Sequence, residues 1–77
     1  STPLDLFGHT DERRMERALI EAFVETVNRL LAGLSAERLS LAVEIAEVPQ
    51  EIRGFGHVKA AAAEAAKARE AALWARW

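Results

Sequence analysis

The chain has 77 residues, roughly half of a typical domain, which leaves room for one small hydrophobic core and disfavours a self-contained enzyme. Hydrophobic residues make up 51% of the sequence, but 16 residues are alanines, so few side chains are large enough to fill that core. Ten Lys and Arg against twelve Asp and Glu give a net charge of -2, which excludes a strongly basic nucleic-acid binder and an acidic disordered tail.

Residues that build metal and redox sites are scarce. The chain has no cysteine, which removes disulfides, cysteine-ligated zinc and cluster ligation, and its histidines are only His9 and His57. We therefore predict no metal site, and no catalytic residue because nothing marks a nucleophile beside a base. Uninterrupted apolar runs such as Ala60 to Ala63 are far shorter than the roughly 20 residues that cross a bilayer, and no signal peptide opens the sequence. The sequence predicts a cytoplasmic protein that binds neither membranes nor nucleic acids.

The first helix is predicted over residues 11–33, after an extended lead-in over residues 1–10, which show no sustained periodicity. Its apolar residues recur every three or four positions, as on one helical face, and are Met15, Leu19, Phe23, Val27, Leu30 and Leu34. We expect this stripe, with Phe23, to lie in the core. Gly33 predicts the end of the helix in a left-handed conformation, and Ser35 predicts the N-cap of the next helix.

A second helix is predicted over residues 35–48 and a third over residues 57–76. Apolar residues cover most of the circumference of the second helix, so it is expected to contact two neighbours. Pro49 should end it, because proline lacks the N–H group that continues a helix. The third helix is rich in alanine, which has high helix propensity. The sequence predicts an all-α fold, a single bundle-like domain of three helices, with the first two antiparallel and the third returning.

The loop before the third helix combines glycines with cations. As an anion site, it would bind a phosphate or carboxylate through freed N–H groups and the positive end of the helix dipole. The candidate residues are Arg53, Gly54, Gly56, His57 and Lys59. The alternative is structural: the glycines allow a positive φ, Ile52 and Phe55 fill the core, and Arg53 pairs with an acidic neighbour. The sequence leaves both interpretations open.

Large apolar side chains mark the end of the third helix. Leu73, Trp74 and Trp77 lie within about one turn of each other. Because exposed indole rings are costly in water, this end either binds a partner, as interface aromatics do, or packs inside the fold. We predict these three residues as candidate partner-binding residues and keep internal packing as the alternative.

Two stretches, FGHTDERRMERALIEAF at 7–23 and VEIAEVPQEIRGFGHVKAA at 43–61, resemble the C-terminal region of the indolepyruvate ferredoxin oxidoreductase family in order and separation. The string IRGFGHVK is the specific part of this resemblance. It implies a large parent enzyme that oxidatively decarboxylates an aryl-pyruvate or related 2-oxoacid on thiamine diphosphate with magnesium. It also implies 4Fe-4S iron–sulfur clusters that pass electrons to ferredoxin, and coenzyme A as the co-substrate that receives the acyl group.

None of these cofactors is predicted to bind this chain alone, which lacks the cysteines that hold clusters. The resemblance implies a non-catalytic helical C-terminal domain that serves assembly and docking. Its partner would be the remainder of the parent oxidoreductase or its other subunit. The alternative is a stand-alone small helical module for protein–protein interaction.

Overall fold

A computed structural model shows a chain built from three α-helices. It describes the backbone of residues 3–77 and the side chains of residues 12–77. Helix α1 spans Pro3–Gly33, α2 spans Leu39–Glu47 and α3 spans Gly56–Trp74. Two short 3₁₀ turns, Ala36–Arg38 and Val48–Glu51, flank α2. No strand occurs in this described part of the chain, and the predicted all-α fold class is confirmed.

Helix α1 begins at Pro3 rather than near Asp11, where the sequence pattern places its start. Proline suits the first turn of a helix because its φ is preset and its missing N–H would have no partner there. The predicted lead-in covers residues 1–10. Its first two residues, and the side chains of the other eight, lie outside the described residues.

Side chains close the C-terminal end of α1. Positive φ angles occur at Gly54 and Gly56 but not at Gly33. The prediction that Gly33 ends the helix in a left-handed conformation is therefore wrong. The carbonyl oxygen of Gly33 instead accepts a hydrogen bond of 3.0 Å from Nη1 of Arg38. A Cβ atom at Gly33 would lie 3.1 Å from that nitrogen and 3.3 Å from the ring of Trp77. Glycine is favoured here by the close approach of two side chains.

The ends of α2 follow from the residues beside them. Ser35 caps the preceding 3₁₀ turn, because its Oγ accepts a hydrogen bond of 3.3 Å from the N–H of Arg38. Pro49 comes after the last α-helical residue, Glu47, and lies in the next 3₁₀ turn. A proline in the first turn of such an element removes no hydrogen bond, so the chain continues in a tighter turn instead of unravelling.

The core is small and centred on α2. Ile45 is fully buried and Val48 is 2% exposed. The other buried apolar residues among those described are Leu30 from α1, Ala42 from α2, and Ala66 and Leu73 from α3. Every helix therefore contributes to one core, but two of its six members are alanines, which fill little volume.

Contacts between α1 and α3 establish the topology. Glu12 contacts Gly56 near the start of α3, and Thr26 contacts Glu70 near its end. Residue numbers thus increase together along both helices, which makes α1 and α3 parallel. The shorter α2 runs back between them and packs against each of them.

Candidate functional site

A groove of about 480 Å³ lies between α1 and α3. The floor of the groove consists of Ile45 from α2, Val48 from the following 3₁₀ turn, and Ile52 directly after that turn. The groove consequently opens on the side away from α2. Apolar residues of its two walls are Leu19, Ala22 and Phe23 from α1, and Ala63, Ala66 and Ala71 from α3.

The groove exists because α3 presents short side chains to α1. Where Ala63 and Ala66 line the groove, a leucine would fill the space that a methyl group leaves open. Phe23 projects from α1 into this space and is 41% exposed. The expectation that Phe23 lies in the core is therefore wrong. Of the predicted α1 stripe, Leu30 is the one residue among those described that is buried.

Polar contacts close the groove at the end near Trp74. The indole Nε1 of Trp74 donates a hydrogen bond of 2.8 Å to Oε2 of Glu70. The hydroxyl group of Thr26 donates to the same oxygen over 3.4 Å. The guanidinium carbon of Arg29 lies 3.8 Å from the centre of the Trp74 ring, which is a cation–π contact. These polar side chains bind one another, so what the groove offers a partner is mainly its apolar surface.

The predicted anion loop lies near the start of α3 and contacts two carboxylates of α1. The N–H of Gly56 donates a hydrogen bond of 2.6 Å to Oε2 of Glu12. Lys59 forms an ion pair with Glu16. The helix N-terminus and one of the cations that would hold an external anion are thus engaged within the chain. Gly54 and Gly56 have φ angles of +99° and +56°, as the structural interpretation expects.

The other residues of this loop are not gathered around one site. Arg53 donates through Nε to the carbonyl oxygen of Gln50 at 2.9 Å, and no carboxylate among the side chains of residues 12–77 forms an ion pair with it. Ile52 packs against the core as expected. Phe55 is 86% exposed, so the expectation that it fills the core is wrong. His57 is exposed as well.

The three candidate partner-binding residues at the end of α3 take part in the fold. Leu73 is buried in the core, and Trp74 and Trp77 pack against that core while remaining half-exposed. Their rings meet edge to face, with centroids 5.5 Å apart. The guanidinium carbon of Arg38 lies 4.7 Å from the Trp77 ring centre. Internal packing accounts for this end, and a partner could reach only the outer part of each indole.

Over the side chains of residues 12–77, no group of three or more His, Asp or Glu side chains is placed to hold a metal ion. None of the helices in the same part of the chain is both long enough and apolar enough to span a membrane.

Sequence reasoning missed the groove, although a signal for it exists. A helix with large apolar residues at positions such as Leu19 and Phe23 is followed, two helices later, by a helix rich in alanine. Two such helices cannot fill the space between them at the packing density of a protein interior.

A family model matches residues 1–72, from before α1 to the last turns of α3, and it is described as DUF6537, a family of unknown function. No curated protein and no solved structure matches the chain.

Proposed function

We propose that this chain, which belongs to the DUF6537 family, is a non-catalytic helical domain that docks onto the remainder of a larger enzyme. The observation that supports this proposal is the open apolar groove between α1 and α3, with Phe23 partly exposed in its wall. Exposed apolar grooves of this kind in a folded domain are typical of binding sites.

An amphipathic helix from the rest of that enzyme is the partner that suits the groove. A helix laid between α1 and α3, opposite α2, would complete a four-helix arrangement around one core. Its large apolar side chains, spaced by about one turn, would occupy the space that the alanines of α3 leave open. A helix bound through its apolar face needs few polar partners from the groove. The groove meets this condition, because Thr26, Arg29 and Glu70 already contact one another or Trp74.

The activity of the whole enzyme is proposed on the resemblance of IRGFGHVK and its flanking sequence. It is the oxidative decarboxylation of an aryl-pyruvate or related 2-oxoacid, in the cytoplasm, with thiamine diphosphate, 4Fe-4S clusters, coenzyme A and ferredoxin acting outside this domain. The domain's own contribution is assembly, since its loop and its aromatic end are occupied by internal contacts.

Filling the groove tests the docking proposal. Ala22→Phe places a large ring in the groove wall of α1, whereas Ala32→Phe makes the same change on the same helix outside the groove. Both alanines are exposed, so the two variants should fold alike. The 77-residue chain is mixed with the remainder of the longer protein, expressed separately, and binding is measured by titration.

We expect wild type and Ala32→Phe to bind equally and Ala22→Phe to bind at least about tenfold more weakly, a loss of about 1.4 kcal/mol. Equal binding by all three would refute docking through the groove. Absence of binding by the wild type would refute the domain role altogether.

The stand-alone interaction module is the alternative, and the intact mass of the polypeptide that carries IRGFGHVK in its native source separates the two. A mass far above 8.5 kDa supports the domain of a larger enzyme. A mass near 8.5 kDa would favour the stand-alone module instead.

A further inference from the structure

Two polar contacts join the N-terminal part of α1 to the start of α3. Oε2 of Glu12 accepts the hydrogen bond from the N–H of Gly56, and the carboxylate of Glu16 pairs with the ammonium group of Lys59. We call these two contacts the latch. They lie at the end of the groove opposite to Trp74.

Both groups that α3 contributes to the latch attract a carboxylate. The side chain of Lys59 is only 15% exposed, and a cation that is largely removed from water is costly unless a carboxylate accompanies it. Gly56 is the first residue of α3, where N–H groups lack partners within the helix and the helix dipole favours negative charge. The latch is therefore the favoured state of these groups while Glu12 and Glu16 carry their charges.

Helix α1 is fixed to the rest of the fold at its C-terminal end, far from the latch. Leu30 is buried in the core around α2, and the carbonyl oxygen of Gly33 accepts the hydrogen bond from Arg38. Along the groove, by contrast, alanines of α3 face α1 and offer it little surface for packing. The N-terminal part of α1 thus depends on the latch for its position.

The distance between the two attachments makes a small rotation effective. Glu12 precedes Leu30 by 18 residues, which corresponds to about 27 Å of helix. A rotation of α1 by about 10° around Leu30 would therefore move Glu12 by about 5 Å, which is enough to break a hydrogen bond. A contact this far from the fixed end limits the rotation more than the same contact beside Leu30 would.

We propose that the latch controls the width of the groove. With both contacts formed, α1 and α3 enclose the groove of about 480 Å³. With both contacts broken, α1 rotates around its fixed end near Leu30, and the two walls of the groove separate while the core around α2 stays folded.

Release of the latch suits the entry of a partner helix. A helix with its side chains is about 10–12 Å across, so it enters more deeply between separated walls. Only the identity of this occupant rests on the proposed function. A partner that binds the released state more tightly shifts the equilibrium of α1 toward that state.

The distance between two spin labels measures the position of α1 in the chain alone, which has no cysteine of its own. The labels are attached through Ala18→Cys on α1 and Ala61→Cys on α3, at exposed positions that do not line the groove. The open variant Glu12→Ala, Glu16→Lys removes one contact of the latch and replaces the other with two like charges. We expect its mean label distance to exceed that of the wild-type latch by about 3 Å, since Ala18 lies about 18 Å along the helix from Leu30.

A rescue variant and a matched control separate the latch from general damage to the fold. Adding Lys59→Glu to the open variant restores an ion pair with reversed charges, so the label distance should return toward that of the wild type. The control Glu21→Ala, Glu25→Lys makes the same changes at the same spacing, at exposed positions of α1 that do not line the groove. It should leave the distance unchanged. Circular dichroism compares the helical content of all four proteins.

A longer distance in the open variant, which the rescue variant shortens and the control does not reproduce, supports the proposal. An open variant with the label distance of the wild type would overturn it. The same conclusion would follow from an equal lengthening in the control, or from a rescue variant that stays open.

Titration with the remainder of the longer protein tests whether the latch controls entry to the groove. We expect the open variant to bind at least about threefold more tightly than the wild type and the control, because binding no longer has to break the latch. Equal affinities would refute this control of entry. If the wild type does not bind at all, the docking proposal fails, whereas the label distances still decide whether the latch sets the position of α1.

Discussion

The carboxyl groups of Glu12 and Glu16 decide what the loop at residues 53–59 can bind. One accepts a hydrogen bond from the N–H of Gly56 and the other pairs with the ammonium group of Lys59. An acidic side chain at a helix N-terminus is stabilising because it meets unpaired N–H groups and the positive end of the helix dipole. The loop therefore attracts negatively charged groups, as the sequence predicts. The groups that it binds are the carboxylates of Glu12 and Glu16 from α1.

Coenzyme A titration tests this internal arrangement. We expect the wild type and the double variant Arg53→Ala, Lys59→Ala to show the same weak affinity, because an external phosphate would have to displace two carboxylates that are already held nearby. Isothermal titration of both proteins under identical salt conditions measures the difference. A wild type that binds at least about tenfold more tightly than the double variant would establish the loop as a phosphate site.

Glu70 connects α1 to α3 at the other end of the groove, and its removal should lower stability. We expect Glu70→Ala to reduce the free energy of unfolding by about 1–2 kcal/mol, since the Trp74 indole N–H and the Thr26 hydroxyl lose their acceptor. Glu64→Ala is the control on the exposed part of the same groove edge and should stay within about 0.5 kcal/mol. Urea unfolding measures both. If both substitutions lower the free energy of unfolding equally, Glu70 contributes only as a surface charge.

At the scale of the element, the sequence predicts that α1 is amphipathic but not which of its stripes is buried. Apolar residues lie on two neighbouring stripes, one containing Leu19, Phe23 and Leu30 and the other containing Ile20 and Val24. Periodicity identifies a helical face only relative to the helix itself. How deeply a residue of that face is buried depends on the side chains that oppose it, and α3 opposes Phe23 with alanines.

Substitution of two apolar residues of α1 by alanine measures this difference in burial. Leu30 is 6% exposed and Phe23 is 41% exposed. We expect Leu30→Ala to lower the free energy of unfolding by about 2–4 kcal/mol and Phe23→Ala by about 1 kcal/mol, although phenylalanine is the larger side chain. Both are measured by urea unfolding at one low protein concentration. A greater loss for Phe23→Ala would show that the groove is closed in solution.

At the scale of the whole molecule, the number and order of the helices were predictable and the space between them was not. Local signals such as Ser35 and Pro49 act on their own neighbours, and the structure shows them at the ends of the predicted elements. The groove and the carboxylate contacts join residues about 44 positions apart, such as Glu12 with Gly56. No periodicity in one chain encodes such a pairing, because it depends on how two helices cross.

The way in which α1 is attached to α3 has a consequence for the speed of partner binding. Between residues 12 and 29 of α1, polar contacts near the two ends of the groove hold this helix to α3, whereas the buried core lies around α2. Breaking such contacts is a local event, much less costly than global unfolding. Amide hydrogens in this half of α1 should therefore exchange with solvent faster than those around Ile45. An entering helix could then separate the two walls on the timescale of local opening while the centre of the domain stays folded.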